Sequence, residues 1–361
     1  MLLICICLSV GLVPVAALGA PLWPTDVSIQ ADGGVLMDAD TGTILYGKNE
    51  NQPYYPASIT KMLTALIVLE HCSLDEMVSF SHDDVYNVEA GSSSAGIDEG
   101  DVLTVRDCLY ALMLASANES ANALACHVAG SREAFAQLMN EKASSLGCTG
   151  SHFTNPSGLN DEDHYTTAYD MALIARAVFQ NPLALEICST KRAFIPATVN
   201  NPEGVSCSIE HQLVKNNENP DSEYYFPAAK AGKTGWTSQA GQTLVTYAEK
   251  DGRRLVAVTL KSTEKTHYSD TMTILDFAFK RFKNARVRDN EIEYVTGTEP
   301  VLIDGTAYEP SELMFDEAAV ITLPEDARFT DAEKSLETKL PQKHPKGAVA
   351  RLNYIYNERE I

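Results

Sequence analysis

The sequence predicts an α+β fold in which one antiparallel sheet is assembled from both ends of a domain, with a helical cluster inserted between them. Three observations lead to this prediction. Strand-like apolar runs open the chain, helical periodicity dominates its middle, and strand-like runs return before residue 284. After residue 284 the helical period disappears, and short apolar runs among Pro, Gly and Asp turns predict a small all-β domain over 285–361.

The first part of the chain carries a hairpin and then several helices. Two apolar runs, 34–38 and 43–46, flank Asp40-Thr41-Gly42, which predicts a β-hairpin. Apolar residues then recur at helical spacing from Met62 to Leu69, which predicts a buried helix starting at Ser58. Thr104 can cap the next helix. Further helices are predicted over 118–128, 132–146 and 167–179.

The later part returns to strands. The runs 242–247 and 253–261 meet across Asp251-Gly252, a dipeptide typical of hairpin turns, and a helix over 269–282 follows. We place a domain boundary at 284, so that the first domain covers 25–284. Short strands are predicted beyond it at 287–295, 301–303, 319–323 and 349–356.

Charge and composition exclude some classes of function. The chain has 361 residues, with 28 Lys and Arg against 49 Asp and Glu, and therefore a formal net charge of -21. Duplex nucleic-acid binding depends on basic residues that neutralise phosphates, so such a negative chain argues against it. The same charge argues against electrostatic docking on anionic lipid. A soluble, acidic enzyme or binding protein remains.

The N-terminus resembles a secretory signal. Residues 1–20 carry no charge, are mostly apolar and end in small residues. This pattern predicts a signal peptide over 1–20, although the usual basic start is absent, so an N-terminus further upstream and an uncleaved anchor stay open as alternatives.

Ser58 and Lys61 open the predicted buried helix. Residues three apart share a helix face, so the hydroxyl and the amine can meet. A lysine whose pKa is lowered by desolvation can take the proton of a serine and make it a nucleophile. The alternative is that Ser58 only starts the helix and Lys61 is solvated.

Two further motifs are weak when taken alone. Ser116 and Asn118, two residues apart, can relay a proton and hold a substrate amide, or they can be ordinary helix caps. Lys233-Thr234-Gly235 offers a cation and a hydroxyl for a substrate carboxylate on a strand that a substrate can approach closely, or it can be a plain turn.

Taken together and in this order, S-x-x-K, S-x-N and K-T-G form the signature of penicillin-binding proteins and serine β-lactamases. The chain resembles the D-alanyl-D-alanine carboxypeptidases, the low-molecular-weight penicillin-binding proteins, over about residues 27–282. The later all-β domain resembles the family only loosely. Further stretches carry the resemblance: VLMDADTG (35–42), PASITKMLTA (56–65), NPSGL (155–159) and HYTTAYDMA (164–172).

The resemblance implies a penicillin-binding, β-lactamase-like fold and a serine-type carboxypeptidase that removes the terminal D-alanine of peptidoglycan stem peptides through an acyl-enzyme. It implies no cofactor and no metal, and β-lactam antibiotics as covalent inhibitors. The roles it implies are Ser58 as nucleophile, Lys61 as base, Ser116 as proton shuttle, Asn118 on the substrate amide, Lys233, Thr234 and Gly235 at the terminal carboxylate, and the backbone N–H of Trp236 in the oxyanion hole.

The chain departs from the family pattern at two places. Relatives often carry His where Ser157 and Trp236 stand here. These changes bear on stem-peptide preference and rate.

Two other functions stay open. A class A β-lactamase would need a Glu where Pro156 stands. A non-catalytic penicillin-binding wall protein would not need to keep Ser58, Lys61 and Lys233.

The resemblance also bears on location. It implies an extracytoplasmic protein in the cell wall or at the outer face of the cytoplasmic membrane. Relatives commonly attach to the membrane through an amphipathic C-terminal helix, and none follows within the 361 residues. We therefore expect release to the wall, or peripheral membrane association if a C-terminal tail lies beyond Ile361.

Overall fold

A computed structural model describes residues 20–89, 91–291, 299–340, 344 and 346–361 of the chain. The predicted signal peptide, apart from Ala20, lies outside these described residues.

The described residues form sixteen strands. In chain order they are β1 Gly33–Asp38, β2 Ile44–Lys48, β3 Met77–Ser79, β4 Val102–Thr104, β5 Arg192–Ile195, β6 Val205–Ser208, β7 Ala229–Thr237, β8 Gly241–Lys250, β9 Arg253–Ser262, β10 Phe282–Arg286, β11 Val301–Ile303, β12 Thr306–Tyr308, β13 Val320–Pro324, β14 Glu333–Glu337, β15 Arg351–Tyr356 and β16 Arg359–Glu360.

The same residues form ten α-helices and three short 3₁₀ turns. The helices are α1 Lys61–His71, α2 His82–Tyr86, α3 Val105–Leu114, α4 Asn118–Ala129, α5 Arg132–Ser145, α6 Ala168–Gln180, α7 Pro182–Ser189, α8 Gln212–Lys215, α9 His267–Arg281 and α10 Val287–Asn290. The 3₁₀ turns are Ala57–Thr60, Pro310–Glu312 and Phe329–Asp331.

The main sheet has five antiparallel strands in the order β2-β1-β9-β8-β7. It joins the first two strands of the chain, which end at Lys48, to three strands that begin only at Ala229, as predicted. The β8–β9 turn has positive φ at Asp251 (51°) and Gly252 (78°), the geometry that a two-residue hairpin turn requires. Every residue of β1 is buried because helices cover this part of the sheet.

The inserted helices pack around α1. This helix is buried from Lys61 to Val68 and contacts α3, α4, α5 and α6. The side chain of Thr104 caps α3 by accepting a hydrogen bond from the N–H of Asp107, as predicted. Helix α6 lies against β1 and β9, which fixes α1 next to the sheet.

The predicted boundary at 284 falls inside β10, which pairs with β13 of the all-β region. The strand predicted over 287–295 was wrong at its start: Val287–Asn290 is a short helix, and 292–298 lie outside the described residues. The helical turn is closed by hydrogen bonds from the N–H of Glu291 to the carbonyl of Val287 and from the Asn290 side chain to that of Arg286. The N-terminal Trp23 packs on the ring of Phe282, with centroids 4.9 Å apart.

Within the part of the chain that the structure describes, no single helix has the length and apolar character needed to cross a membrane. Helices α6 and α7 would meet that requirement together, but they bend by 101° at their junction. The six described cysteines are free thiols. Burial raises the pKa of those that lie deepest, including Cys188, whose pKa is about 12.

Candidate active site

Ser58 lies in the 3₁₀ turn that leads directly into α1. The preceding residue, Ala57, has a φ of 53°, a left-handed conformation that is costly for a residue with a side chain. The turn is held from the sheet side, because the hydroxyl of Thr243 on β8 donates a 2.8 Å hydrogen bond to the carbonyl of Pro56. The strained backbone is therefore fixed by packing against the sheet.

The amine of Lys61 is the centre of the site. It is completely buried and donates hydrogen bonds to Ser58 Oγ (3.1 Å), Asn118 Oδ1 (2.7 Å) and the backbone carbonyl of Ser157 (2.6 Å). Burial lowers the pKa of Lys61 well below its ordinary value, and the positive charge of Lys233 acts in the same direction. A neutral amine keeps two N–H donors, for Asn118 and Ser157, and its lone pair can accept the proton of the Ser58 hydroxyl.

The loop that carries Ser157 fits closely against the turn Ala57–Thr60 that carries Ser58. Gly158 has a φ of 86°, and a Cβ on it would collide with the carbonyl of Ala57 and lie 2.9 Å from Thr60 Oγ1. The Asn155 side chain accepts hydrogen bonds from the N–H groups of Ser157 (3.2 Å) and Gly158 (2.8 Å). Glycine at 158 is thus what allows the Ser157 carbonyl to reach Lys61.

Ser116 and Asn118 lie at the junction of α3 and α4. Asn118 is the first residue of α4, at the start of the helix predicted over 118–128. Ser116 has a φ of 58° and is buried, and its Oγ has no hydrogen-bond partner among the described residues. A buried hydroxyl without a partner is unusual in native proteins and suggests a place for a reacting group.

Strand β7 brings Lys233, Thr234 and Gly235 next to the turn that carries Ser58. A Cβ on Gly235 would lie 2.9 Å from the backbone nitrogen of Ser58, so only glycine permits this approach. Lys233 is buried and donates a hydrogen bond to the carbonyl of Thr234 (2.9 Å). Burial lowers the pKa of Lys233. Trp236, the next residue, is 63% exposed.

Sequence reasoning missed two side chains at this site. The first is His164, which is buried next to Thr60, with 2.9 Å between His164 Nε2 and Thr60 Oγ1. The N–H of Thr154 donates to His164 Nδ1, so the proton of the neutral ring lies on Nε2. Burial lowers the pKa of His164 to about 4. His164 stands in one of the stretches that carried the resemblance, which was the available signal.

The second missed side chain is Glu210. Its Oε2 accepts a 3.0 Å hydrogen bond from the hydroxyl of Thr234 and lies 4.0 Å from the amine of Lys233. No sequence motif marked this residue.

Metal-ligating side chains come together elsewhere. Among the described residues, the ligand atoms of Cys72, Glu76 and His127 lie within 4.8 Å of one another. Cys72 and Glu76 are in the segment between α1 and β3, and His127 is in the last turn of α4. None of these residues belongs to the site around Ser58.

This geometry brings together the groups that acyl transfer by a serine requires. A hydroxyl at the head of a buried helix lies beside a lysine of lowered pKa, and a sheet strand with a second buried lysine closes the site.

The sequence profile of the D-alanyl-D-alanine carboxypeptidase family, Peptidase_S11, matches residues 20–264. The chain is 31% identical over 264 residues to the carboxypeptidase DacF of Bacillus subtilis. This aligned region covers 72% of the chain and 64% of DacF. It is 34% identical to DacB2 of Mycobacterium tuberculosis over 68% of the chain and 81% of DacB2. The chain thus spans less than two thirds of the length of DacF.

The crystal structure of the carboxypeptidase DacD from Francisella tularensis has the same fold, with a TM-score of 0.70 over 94% of this chain and 93% of that protein, at 24% identity. The chain belongs to the D-alanyl-D-alanine carboxypeptidase family. Membership confirms the predicted family, and the shared fold confirms the predicted fold class.

Proposed function

We propose that this protein is a serine-type carboxypeptidase that removes the terminal D-alanine from peptidoglycan stem peptides through an acyl-enzyme on Ser58. The observation that carries the proposal is the 3.1 Å hydrogen bond between the buried amine of Lys61 and the hydroxyl of Ser58. Family membership supplies the substrate class, and the relatives DacF and DacB2 bear the name of this activity.

Acylation begins when Ser58 Oγ attacks the carbonyl carbon of the penultimate D-alanine. The hydroxyl proton passes to the neutral amine of Lys61 as the new C–O bond forms. The negative charge that develops on the carbonyl oxygen is met by the backbone N–H groups of Ser58 and Trp236. Such donors stabilise the tetrahedral transition state more than the ground state.

The tetrahedral intermediate collapses by breaking the C–N bond to the terminal D-alanine. The leaving nitrogen needs a proton, which Ser116 hands on from the Lys61 ammonium, since its hydroxyl can both donate and accept. Asn118 uses one oxygen for Lys61 and keeps its amide NH₂ for a carbonyl of the substrate. Water then hydrolyses the ester, which returns Ser58 and releases the shortened peptide.

The terminal carboxylate of the substrate binds the Lys233 ammonium and the Thr234 hydroxyl. Charge-assisted hydrogen bonds of this kind are stronger than neutral ones, and Lys233 is too buried for water to compete well. β-Lactam antibiotics, which carry a carboxylate beside a reactive amide, would acylate Ser58 in the same way and stay bound.

We further propose a secreted, extracytoplasmic location in the cell wall or at the outer face of the cytoplasmic membrane. The predicted leader 1–20 and the peptidoglycan substrate support it. The proposed domains are the carboxypeptidase domain 25–284 and the all-β domain 285–361.

The proposal is tested by incubating the purified protein with a fluorescent penicillin and with a diacyl-Lys-D-Ala-D-Ala peptide. We expect a long-lived fluorescent adduct and release of D-alanine, both abolished in Ser58→Ala. Lys233→Ala should lose most turnover. Lys230→Ala is the matched control, because this exposed lysine lies on the same strand and its amine donates a hydrogen bond to the carbonyl of Pro227, away from the site.

The same experiment separates the alternatives. Rapid loss of the label would indicate a β-lactamase, and the absence of any label would indicate a non-catalytic wall protein. Labelling that survives Ser58→Ala would contradict the assignment of the nucleophile.

A further inference from the structure

The two groups that the proposed function assigns to the substrate carboxylate already contact a carboxylate of the chain. Glu210 Oε2 accepts the Thr234 hydroxyl at 3.0 Å and lies 4.0 Å from the Lys233 amine. One glutamate oxygen therefore faces the same hydroxyl and the same cation that would receive a terminal D-alanine.

The fold places Glu210 at this point through its two neighbours. Ile209 is buried and its N–H donates to the carbonyl of Lys191 (2.9 Å). His211 is buried, with 2.8 Å between its Nε2 and Thr246 Oγ1 on β8. The backbone on both sides of Glu210 is thus anchored, and only the glutamate side chain is free to move.

Strand β7 lacks a side chain where the His211 ring meets it. A Cβ on Gly232 would lie 2.6 Å from the ring, so glycine there allows the segment before α8 to approach the strand. This close approach, one residue before Lys233, brings Glu210 within hydrogen-bond distance of Thr234.

The two charged side chains differ in their freedom. The Lys233 side chain is 2% exposed, whereas that of Glu210 is 52% exposed. Glu210 can rotate towards water and be solvated there, but Lys233 cannot follow it. Two carboxylates cannot share one hydroxyl donor and one ammonium without like-charge repulsion.

We propose that the Glu210 carboxylate competes with the substrate carboxylate for Lys233 and Thr234. This inference rests on the proposed function and adds to it a residue that determines substrate affinity. A substrate binds only when the glutamate has turned away. The apparent dissociation constant then equals the intrinsic one divided by the fraction of molecules with the subsite open. Chemistry at Ser58 is untouched once the substrate is bound.

The first test is Glu210→Gln, which keeps the shape and removes the charge. We expect KM for diacyl-Lys-D-Ala-D-Ala to fall about three- to tenfold with kcat within about twofold, because only the competition for binding changes. Glu210→Asp, which keeps the charge on a shorter stem, should give an intermediate KM. Glu203→Gln is the matched control: an exposed glutamate in the β5–β6 turn, whose loss should leave KM unchanged.

A second measurement does not depend on turnover. In a Ser58→Ala background, calorimetric titration with the same peptide should give a Kd about three- to tenfold lower when Glu210→Gln is added. An unchanged or higher KM and Kd in the Glu210 variants would overturn the proposal. If the wild type released no D-alanine and formed no penicillin adduct, the proposed function itself would fail, and the titration would still decide whether Glu210 competes for the peptide.

Discussion

The backbone carbonyl of Ser157 lies 2.6 Å from the amine of Lys61 and accepts a hydrogen bond from it. Because this contact uses the backbone, it does not depend on which side chain stands at 157. The loop therefore acts on Lys61 through its backbone position, and that position depends on Gly158.

Gly158→Ala should disable acylation. The Cβ of the new alanine would collide with the Ala57 carbonyl, so either the loop that carries Ser157 or the turn that carries Ser58 must shift. Strained φ alone costs about 1–3 kcal/mol. Gly130→Ala is the control, since Gly130 also has a positive φ (79°) but meets nothing within 4 Å. Urea unfolding should show a loss in both variants, and penicillin labelling a loss in Gly158→Ala alone. Equal labelling of the two would refute the positioning role.

Lys61→Arg should abolish acylation, because it puts a permanently charged group in the place of an amine that must be neutral to act as the base. A guanidinium stays protonated and cannot accept the Ser58 proton, so we expect the rate of penicillin acylation to fall by about 10²–10⁴. In the wild type, activity should fall when acid protonates the Lys61 amine. Because the pKa of Lys61 is lowered, this fall should occur at a pH well below the ordinary pKa range of lysine. The rate should rise with pH as the amine loses its proton. A variant that keeps more than a tenth of the rate would argue for a different base.

Ser116→Ala should separate catalysis from stability. The Ser116 hydroxyl has no partner among the described residues, so its removal breaks no hydrogen bond that the structure shows. The free energy of unfolding should therefore change by less than about 1 kcal/mol, which is what a typical lost hydrogen bond costs. Release of D-alanine should fall by about 10²-fold or more, because the proton relay to the leaving group is lost. A large loss of stability with normal turnover would indicate a structural serine instead.

His164 should make the fold sensitive to mild acid. Its pKa is about 4 when buried, against 6.5 ordinarily, so the unfolded chain binds its proton first as the pH falls. The stability that depends on a neutral His164 is therefore fully present above pH 6.5 and is lost as the pH falls from 6.5 to about 4. The contribution of this one group is about 3 kcal/mol over the whole interval.

The measurement is urea unfolding of wild type and His164→Gln at pH 7 and pH 4.5. His211, whose pKa burial lowers to about 3, remains in both proteins, so the difference isolates His164. We expect the variant to lose less stability than the wild type on acidification. Parallel losses in the two proteins would show that His164 takes no part.

The parts of the site that follow from local geometry could be predicted from the sequence. Ser58 and Lys61 are one turn apart, so any helical start brings them together. The Thr104 cap and the Asp251-Gly252 turn are likewise local. The α+β class followed from the change of period along the chain.

Contacts between distant segments could not be predicted from the sequence in this way. Thr60 and His164 are 104 residues apart, and Thr234 and Glu210 are 24 apart. Each pair depends on how loops and strands pack in three dimensions, which no spacing encodes. Val287–Asn290 was predicted as part of a strand but is helical. The Asn290 side chain donates a hydrogen bond to the carbonyl of Arg286, and this local bond outweighs the strand propensity of the sequence.

The chain contains two tryptophans, and they stand in opposite environments. Trp23 is buried against Phe282, while Trp236 is 63% exposed at the end of the K-T-G motif. Because the preceding residue, Gly235, lies against the backbone nitrogen of Ser58, we expect an acyl group on Ser58 to change the surroundings of the Trp236 indole. Intrinsic fluorescence therefore offers a label-free signal for occupancy of the cleft.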